Sequence, residues 1–116
     1  MSFPLDSEHR ITRSGEYRRV YDSGAKKKGR FLIFFVTEGS RVVPRAGITV
    51  SRKVGGACVR NRVKRRIKEA LRLELEGAPV SDMVFVATRR IVDAGFEDIR
   101  RDIRSVVFSS KGDKRR

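Results

Sequence analysis

An α+β domain is the fold class this sequence predicts, and three observations predict it. The apolar run Phe31–Val36 is short, rich in Phe and β-branched residues and followed closely by Glu38-Gly39, as a strand would be. Between residues 46 and 51, Ala46, Ile48 and Val50 alternate with Gly47, Thr49 and Ser51, the period of a strand buried on one side. Further on, Val59, Val63, Ile67, Ala70 and Leu71 recur at helical spacing and form one stripe. At 116 residues the chain has room for one domain with a modest core.

Taken in order, residues 1–12 read as a flexible N-terminal arm. Ser14 is a plausible N-cap, and the segment to Gly24 reads as a short helix on which Tyr17, Val20 and Tyr21 share a face. The run Ala25–Arg30 is a basic connector. In the strand that follows, Phe31, Ile33 and Phe35 alternate with Leu32, Phe34 and Val36, so both faces are apolar. Residues 39–45 make a turn into the second strand. A helix begins near Gly56–Val59 and is ended by Gly77-Ala78-Pro79. The run from Asp82 to Arg90 is a third strand, central by its continuous apolar stretch. A last helix, about residues 95–110, aligns Phe96, Ile99, Ile103, Val106 and Val107. The domain thus covers residues 13–110, with 111–116 a basic C-terminal tail.

Charge separates this chain from an ordinary small domain. It carries 28 Lys and Arg against 14 Asp and Glu, a net +14. Between Ser51 and Arg72 nine basic residues face one acid, Glu69, so more than half the excess sits in one strand-loop-helix segment. Across the apolar stripe of that helix lie Asn61, Arg62, Arg65, Lys68 and Arg72, with like charges three and four residues apart that repel by a few tenths of a kcal/mol per pair. A solvated helix face is one reading. An extended anionic partner, of which a phosphate backbone fits best, is the other.

Several chemistries lack their residues. Cys58 is the single cysteine, so neither an intrachain disulfide nor a cysteine metal cluster can form, and a reduced cytoplasmic setting is expected. His9 is the one histidine and has no orienting carboxylate or nucleophile at recognisable spacing. The acids show no metal-binding pattern; Asp98 and Asp102 share a helix face beside Arg101 and Arg104 and read as a surface ion-pair network. No catalytic residue and no protein-ligated metal are predicted. No signal peptide or membrane span is visible.

The segment Gly47–Arg72 resembles the signature of the bacterial ribonuclease P protein subunit. The strand ends in Ser51-Arg52-Lys53, a loop carries Val54, Gly55 and Ala57, and the helix opens on Val59-Arg60-Asn61-Arg62 with Lys64 and Arg65. Upstream, residues 11–24 are similar to the family's first helix with its two aromatics four apart. Tyr17 and Tyr21 stand where the family usually has Phe, and Arg52 where it more often has Lys. The resemblance spans roughly residues 10–108.

That resemblance implies a small mixed β-sheet of three to four strands flanked by three helices, in the order α-β-β-(β)-α-β-α. The basic helix would lie in a left-handed crossover, against the general preference. The fourth strand would be a piece near residues 26–30 or a split of the 40–50 region. The implied function is that of an accessory subunit in a ribonucleoprotein endoribonuclease. A partner RNA carries catalysis with bound Mg2+ and removes the 5′ leader of precursor tRNA.

By the same resemblance Arg60, Asn61, Arg62, Lys64, Arg65, Lys68 and Arg72 would contact RNA, with Arg60 partly structural at the edge of the apolar stripe. Tyr17 and Tyr21 would either pack the first helix or flank a cleft where leader bases stack. Leu32, Phe34, Thr49 and Ser51 would line its floor, with Arg52 and Lys53 at the rim and Phe35, Ile48 and Val50 in the core. Cys58 stands where the family has a small aliphatic residue and is expected buried. The expected partners are the catalytic RNA and precursor tRNA, with no membrane and no obligate protein partner. A basic RNA-binding protein of ribosomal type would share the charge and size without a processing role.

Overall fold

The computed structural model describes residues 10–11, 13–38, 44–76 and 80–107. In chain order these form α1 (Ser14–Ser23), β1 (Ala25–Lys28), β2 (Leu32–Glu38), β3 (Arg45–Thr49), α2 (Ala57–Glu74), β4 (Ser81–Ala87), a 3₁₀ turn (Arg89–Asp93) and α3 (Phe96–Val107). The four strands make one mixed sheet in the order β1-β2-β4-β3. β2 pairs antiparallel with both β1 and β4, while β3 runs parallel to β4, with α2 crossing between them.

β4 lies inside the sheet because its residues are buried on both faces. β1 is the fourth strand and lies at the first of the two places the resemblance allows, near residues 26–30, in a stretch that by itself reads as a basic connector. An Ala-Lys-Lys-Lys run can be a strand only at an edge, where Lys26 and Lys28 reach solvent and the charge discourages pairing with other chains. The opposite edge, β3, is partly covered: Arg10 bridges to Ala46, and the Ile11 amide donates to the Ala46 carbonyl at 3.0 Å. Ile11 is buried, so the expected arm is anchored by its residues 10 and 11. Residues 1–9 with His9, the turn at 39–43, the Gly77–Pro79 stop and the tail from 108 onward lie outside the described residues.

Helices cover both faces of the sheet. α2 and α3 lie over Leu32, Phe34, Met83 and Phe85, with Phe34 and Phe85 edge to face at 4.9 Å. Burial of each such side chain is worth about 1.5–3 kcal/mol. α1 covers the other face through Val20, against Ile11, Val84, Phe35 and Val86. The phase of β2 is therefore opposite to the one expected. Leu32 and Phe34 are fully buried under α2 and α3, whereas Phe35 faces α1. Ile48 and Val50 pack against the α2–α3 core, as expected of them.

Among the described residues three buried acids tie separate elements together, and none reads as structural from sequence. Asp82 on β4 is fully buried and accepts from Arg45 Nε and Nη2 at 3.1 and 2.9 Å; Arg19 of α1 also pairs with it. Arg45, itself buried, reaches Glu16 of α1 at 3.0 Å. Glu74 falls on the apolar stripe of α2 and is held by Arg100 at 2.6 Å and Arg104 at 2.9 Å. Hydrogen bonds from Arg104, opposed by burial and reinforced by Arg100, hold its carboxyl below the usual range.

Asp102 corrects the expected surface network. Its carboxylate is buried and accepts the backbone N–H groups of Arg30, Phe31 and Leu32 at 2.8, 3.0 and 3.0 Å, capping the β1–β2 turn. Gly29 leaves room for it, since a Cβ there would sit 2.5 Å from the carboxylate. Only the Asp98–Arg101 pair, at 3.4 Å, lies on the surface as expected. Cys58 is another correction: it is exposed, because its position is 100° off Val59 on the side away from the stripe. α1 begins at Ser14 itself, with Arg13 in the N-cap place and no side-chain cap. α2 stops at Glu74, short of the expected glycine.

Candidate nucleic-acid interface

The face of β3 that carries Arg45, Gly47 and Thr49 looks towards α1, and the two tyrosines of α1 lie against it. Tyr17 and Tyr21, one helical turn apart, put their ring centroids 6.3 Å from each other. The Tyr17 hydroxyl donates to the Ile48 carbonyl at 3.5 Å, a long bond, and Tyr21 shares a 3.2 Å hydrogen bond with Thr49 Oγ1. Tyr21 also meets Phe35 edge to face at 4.9 Å, and Lys26 Nζ stands 5.9 Å from the Phe35 ring centre.

Gly47 explains how Tyr17 comes so close to the strand. A Cβ at Gly47 would lie 2.7 Å from the Tyr17 hydroxyl and 2.8 Å from Cζ. A glycine inside a strand is the sequence mark of such an approach. Burial raises the Tyr17 pKa above its ordinary value. Gly47→Ala should push the ring off β3 into water and bring that pKa back down. An absorbance titration in a Tyr21→Phe background would follow Tyr17 alone, and an unchanged curve would refute the packing argument.

Along this seam runs a groove of about 540 Å³, lined by Ser14, Tyr17, Arg18, Tyr21, Asp22 and Thr49. Tyr17 separates it from a notch of about 150 Å³ at the β3 edge, where Arg10, Lys64 and Lys68 surround Ile11, Gly47 and Ile48. α2 thus brings two of its lysines up to the tyrosine cleft. Farther round the helix, Arg62, Arg65 and Arg66 border a third depression of about 410 Å³ with Glu69 and Phe96. Aromatic surface beside unneutralised cations is what single-stranded nucleic acid binds.

The fold that builds this groove is shared by known proteins. Residues 5–110 match the model of the family described as Ribonuclease P. The chain belongs to the bacterial ribonuclease P protein family. It is 37% identical over 99 residues to a ribonuclease P protein component of Clostridioides difficile strain 630, covering 84% of this chain and 87% of that one. A ribonuclease P protein component of Thermoanaerobacter sp. strain X514 is 32% identical over 102 residues, 87% and 88% of the two chains. The Staphylococcus aureus RNase P protein superposes with a TM-score of 0.79 at 25% identity, over 89% of this chain and 95% of that one. The RNase P protein of Thermotoga maritima, at 20% identity, shares the fold with a TM-score of 0.76 over 85% and 94%.

Within this ribonuclease P family member the expected site residues divide. Tyr17, Tyr21 and Thr49 come together at the cleft. Leu32 and Phe34 do not reach it, being sealed in the core on the far side, and Phe35 takes the place expected of them. Ser51, Arg52 and Lys53 are exposed in the loop after β3, where the Ser51 hydroxyl accepts the Lys53 amide at 3.3 Å.

On α2, Arg60 is half-buried and bonds the Gly55 carbonyl at 3.2 Å, the partly structural role expected of it. Arg72 pairs with Glu69 at 2.8 Å. Asn61, Arg62, Lys64, Arg65 and Lys68 are exposed. Ser14, Arg18, Asp22 and Lys26 were missed as neighbours of the cleft; their one signal is the i,i+4 step from Ser14 to Arg18 to Asp22 along α1.

Among the described residues no three His, Cys, Asp or Glu side chains gather into a possible metal site. The buried acids Asp82, Glu74 and Asp102 are engaged by arginines or by backbone amides. Among the described residues, then, none of these buried carboxylates is free to hold a Mg2+ ion. Among the same residues no helix is long and apolar enough to cross a membrane.

Proposed function

We propose that the protein binds the catalytic RNA subunit of ribonuclease P and the 5′ leader of precursor tRNA, and so assists endonucleolytic removal of the leader. One observation carries this reading: the tyrosine groove between α1 and β3 opens beside the cationic side of α2. The groove suits single-stranded RNA, whose bases stack on aromatic rings at about 1–3 kcal/mol each. Asn61, Arg62, Lys64, Arg65 and Lys68, with Arg60 and Arg72 at the ends, suit the phosphates of a folded RNA. Ser51, Arg52 and Lys53, exposed in the loop between β3 and α2, would stand at the rim of the groove. The Mg2+ ions required for cleavage would belong to the RNA, and the complex would work in the cytoplasm.

The test is reconstitution with a bacterial ribonuclease P RNA, following precursor tRNA cleavage at low Mg2+. Strong stimulation in the mixture and no cleavage by the protein alone are expected. Tyr17→Ala/Tyr21→Ala should weaken precursor tRNA binding to the complex about tenfold or more while mature tRNA binds as before. RNA binding without stimulation would instead favour a ribosomal-type binder, and cleavage by the isolated protein would refute an accessory role.

A further inference from the structure

The cations of α2 do not all point one way. Lys64 and Lys68 stand at the notch beside β3, whereas Arg62, Arg65 and Arg66 border the depression that reaches Phe96 at the start of α3. Lys64 and Arg62 lie about 160° apart around the helix, so one straight run of phosphates cannot meet both. The tyrosine groove is on the face of the sheet that α1 covers, and the depression is on the side of α2 and α3. A leader strand held in the groove therefore leaves the depression open.

Three features give that depression a chemistry of its own. Phe96 lines it with a half-buried ring, packed on the core by one part and open by the rest. Arg66 is held in its wall, donating from Nη1 to the Ala94 carbonyl at 3.3 Å. Arg62 and Arg65 are exposed and have no partner among the described residues. Glu69, the one acid in the lining, is answered by Arg72 at 2.8 Å. Phosphates alone account for the arginines but not for the ring. A nucleotide turned out of its helix offers both groups at once, a base to stack and phosphates to pair. We infer that this depression is a pocket for one unpaired nucleotide of the catalytic RNA subunit. The base would stack on Phe96 and its flanking phosphates would meet Arg62 and Arg65, with the pinned Arg66 as the wall. The inference deepens the reading that the protein binds the RNA subunit, and rests on it.

The chain has no tryptophan, so Phe96→Trp places a single fluorescent reporter in the depression. Titrated with a bacterial ribonuclease P RNA, without precursor tRNA, its emission should be quenched as a base stacks on the indole. Val80→Trp, at an exposed position outside the depression, should lose little emission. In filter binding, Phe96→Leu keeps an apolar side chain without a ring and should weaken affinity for the RNA about fivefold or more. Its salt slope should stay as in wild type, because no phosphate contact is lost. Phe96→Tyr keeps the ring and should bind within about twofold of wild type.

Three results would overturn the inference. One is wild-type affinity in a folded Phe96→Leu variant. Another is equal quenching of Phe96→Trp and Val80→Trp, which marks general proximity to RNA rather than stacking. The third is quenching of Phe96→Trp only after precursor tRNA is added, which would assign the nucleotide to the substrate. Should Phe96→Leu fail to fold, the fluorescence comparison decides alone. Failure of the underlying reading looks different, because the wild-type protein would then not bind the RNA subunit at all.

Discussion

Reversing Arg62 and Arg65 to glutamate is expected to lower affinity for the RNA subunit by more than about tenfold and to flatten its salt dependence. Both side chains are exposed on α2 beside the depression that reaches Phe96, and neither is neutralised by a described acid. Each phosphate contact contributes about 0.7–0.9 to the slope of log affinity against log salt, so losing two should reduce it by about 1.4–1.8. The fold should tolerate the change, because the like-charge repulsion it removes exceeds any local pairing it breaks. Filter binding across a salt series, with circular dichroism to check folding, would measure it. A folded variant with unchanged affinity and slope would remove this face of α2 from the RNA interface.

The second large effect concerns stability. Asp82→Ala should cost about 3–5 kcal/mol, because it strips a buried guanidinium of its partner rather than removing both charges. Arg45 is only 3% exposed and gives two hydrogen bonds to Asp82, while Arg19 joins the same carboxylate from α1. The network raises the affinity of Arg45 for its proton, chiefly through the Asp82 bond, so the arginine cannot escape by becoming neutral. A loss of this size takes a large share of the roughly 5–15 kcal/mol of a typical domain. Urea denaturation of wild type, Asp82→Ala and the double variant Arg45→Met/Asp82→Leu would measure it. The double variant should recover most of the loss; a single variant within about 1 kcal/mol of wild type would show the network to be unimportant.

The same cluster bears on function. Glu16 and Arg19 belong to the helix that carries Tyr17 and Tyr21, and both meet the Arg45–Asp82 pair. α1 is thus held to β3 and β4 by charges at its buried side, while its tyrosines and Asp22 border the groove. A weakened network would loosen the groove wall before it loosened the core under α2 and α3.

Whatever repeats locally was legible in the residues alone. The apolar stripe and basic face of α2 follow from a period of 3.6, and the alternation of β3 from a period of two; both are in place. The family signature, carried by contiguous residues around Arg60-Asn61-Arg62, was equally legible. So was the pairing of Tyr17 with Tyr21, because four residues make one helical turn.

Tertiary structure alone decided the rest. β2 is apolar on both faces, so its alternation holds no information about which face meets α1, and Leu32 and Phe34 went to the core while Phe35 went to the cleft. β1 exists because β2 offers it an edge, not because three lysines favour a strand. The roles of Asp82 and Asp102 come from partners 37 to 72 positions away, beyond the reach of any local pattern. A charged residue reads as surface until the fold brings a counter-charge or free backbone N–H groups to it, and only then can it be buried.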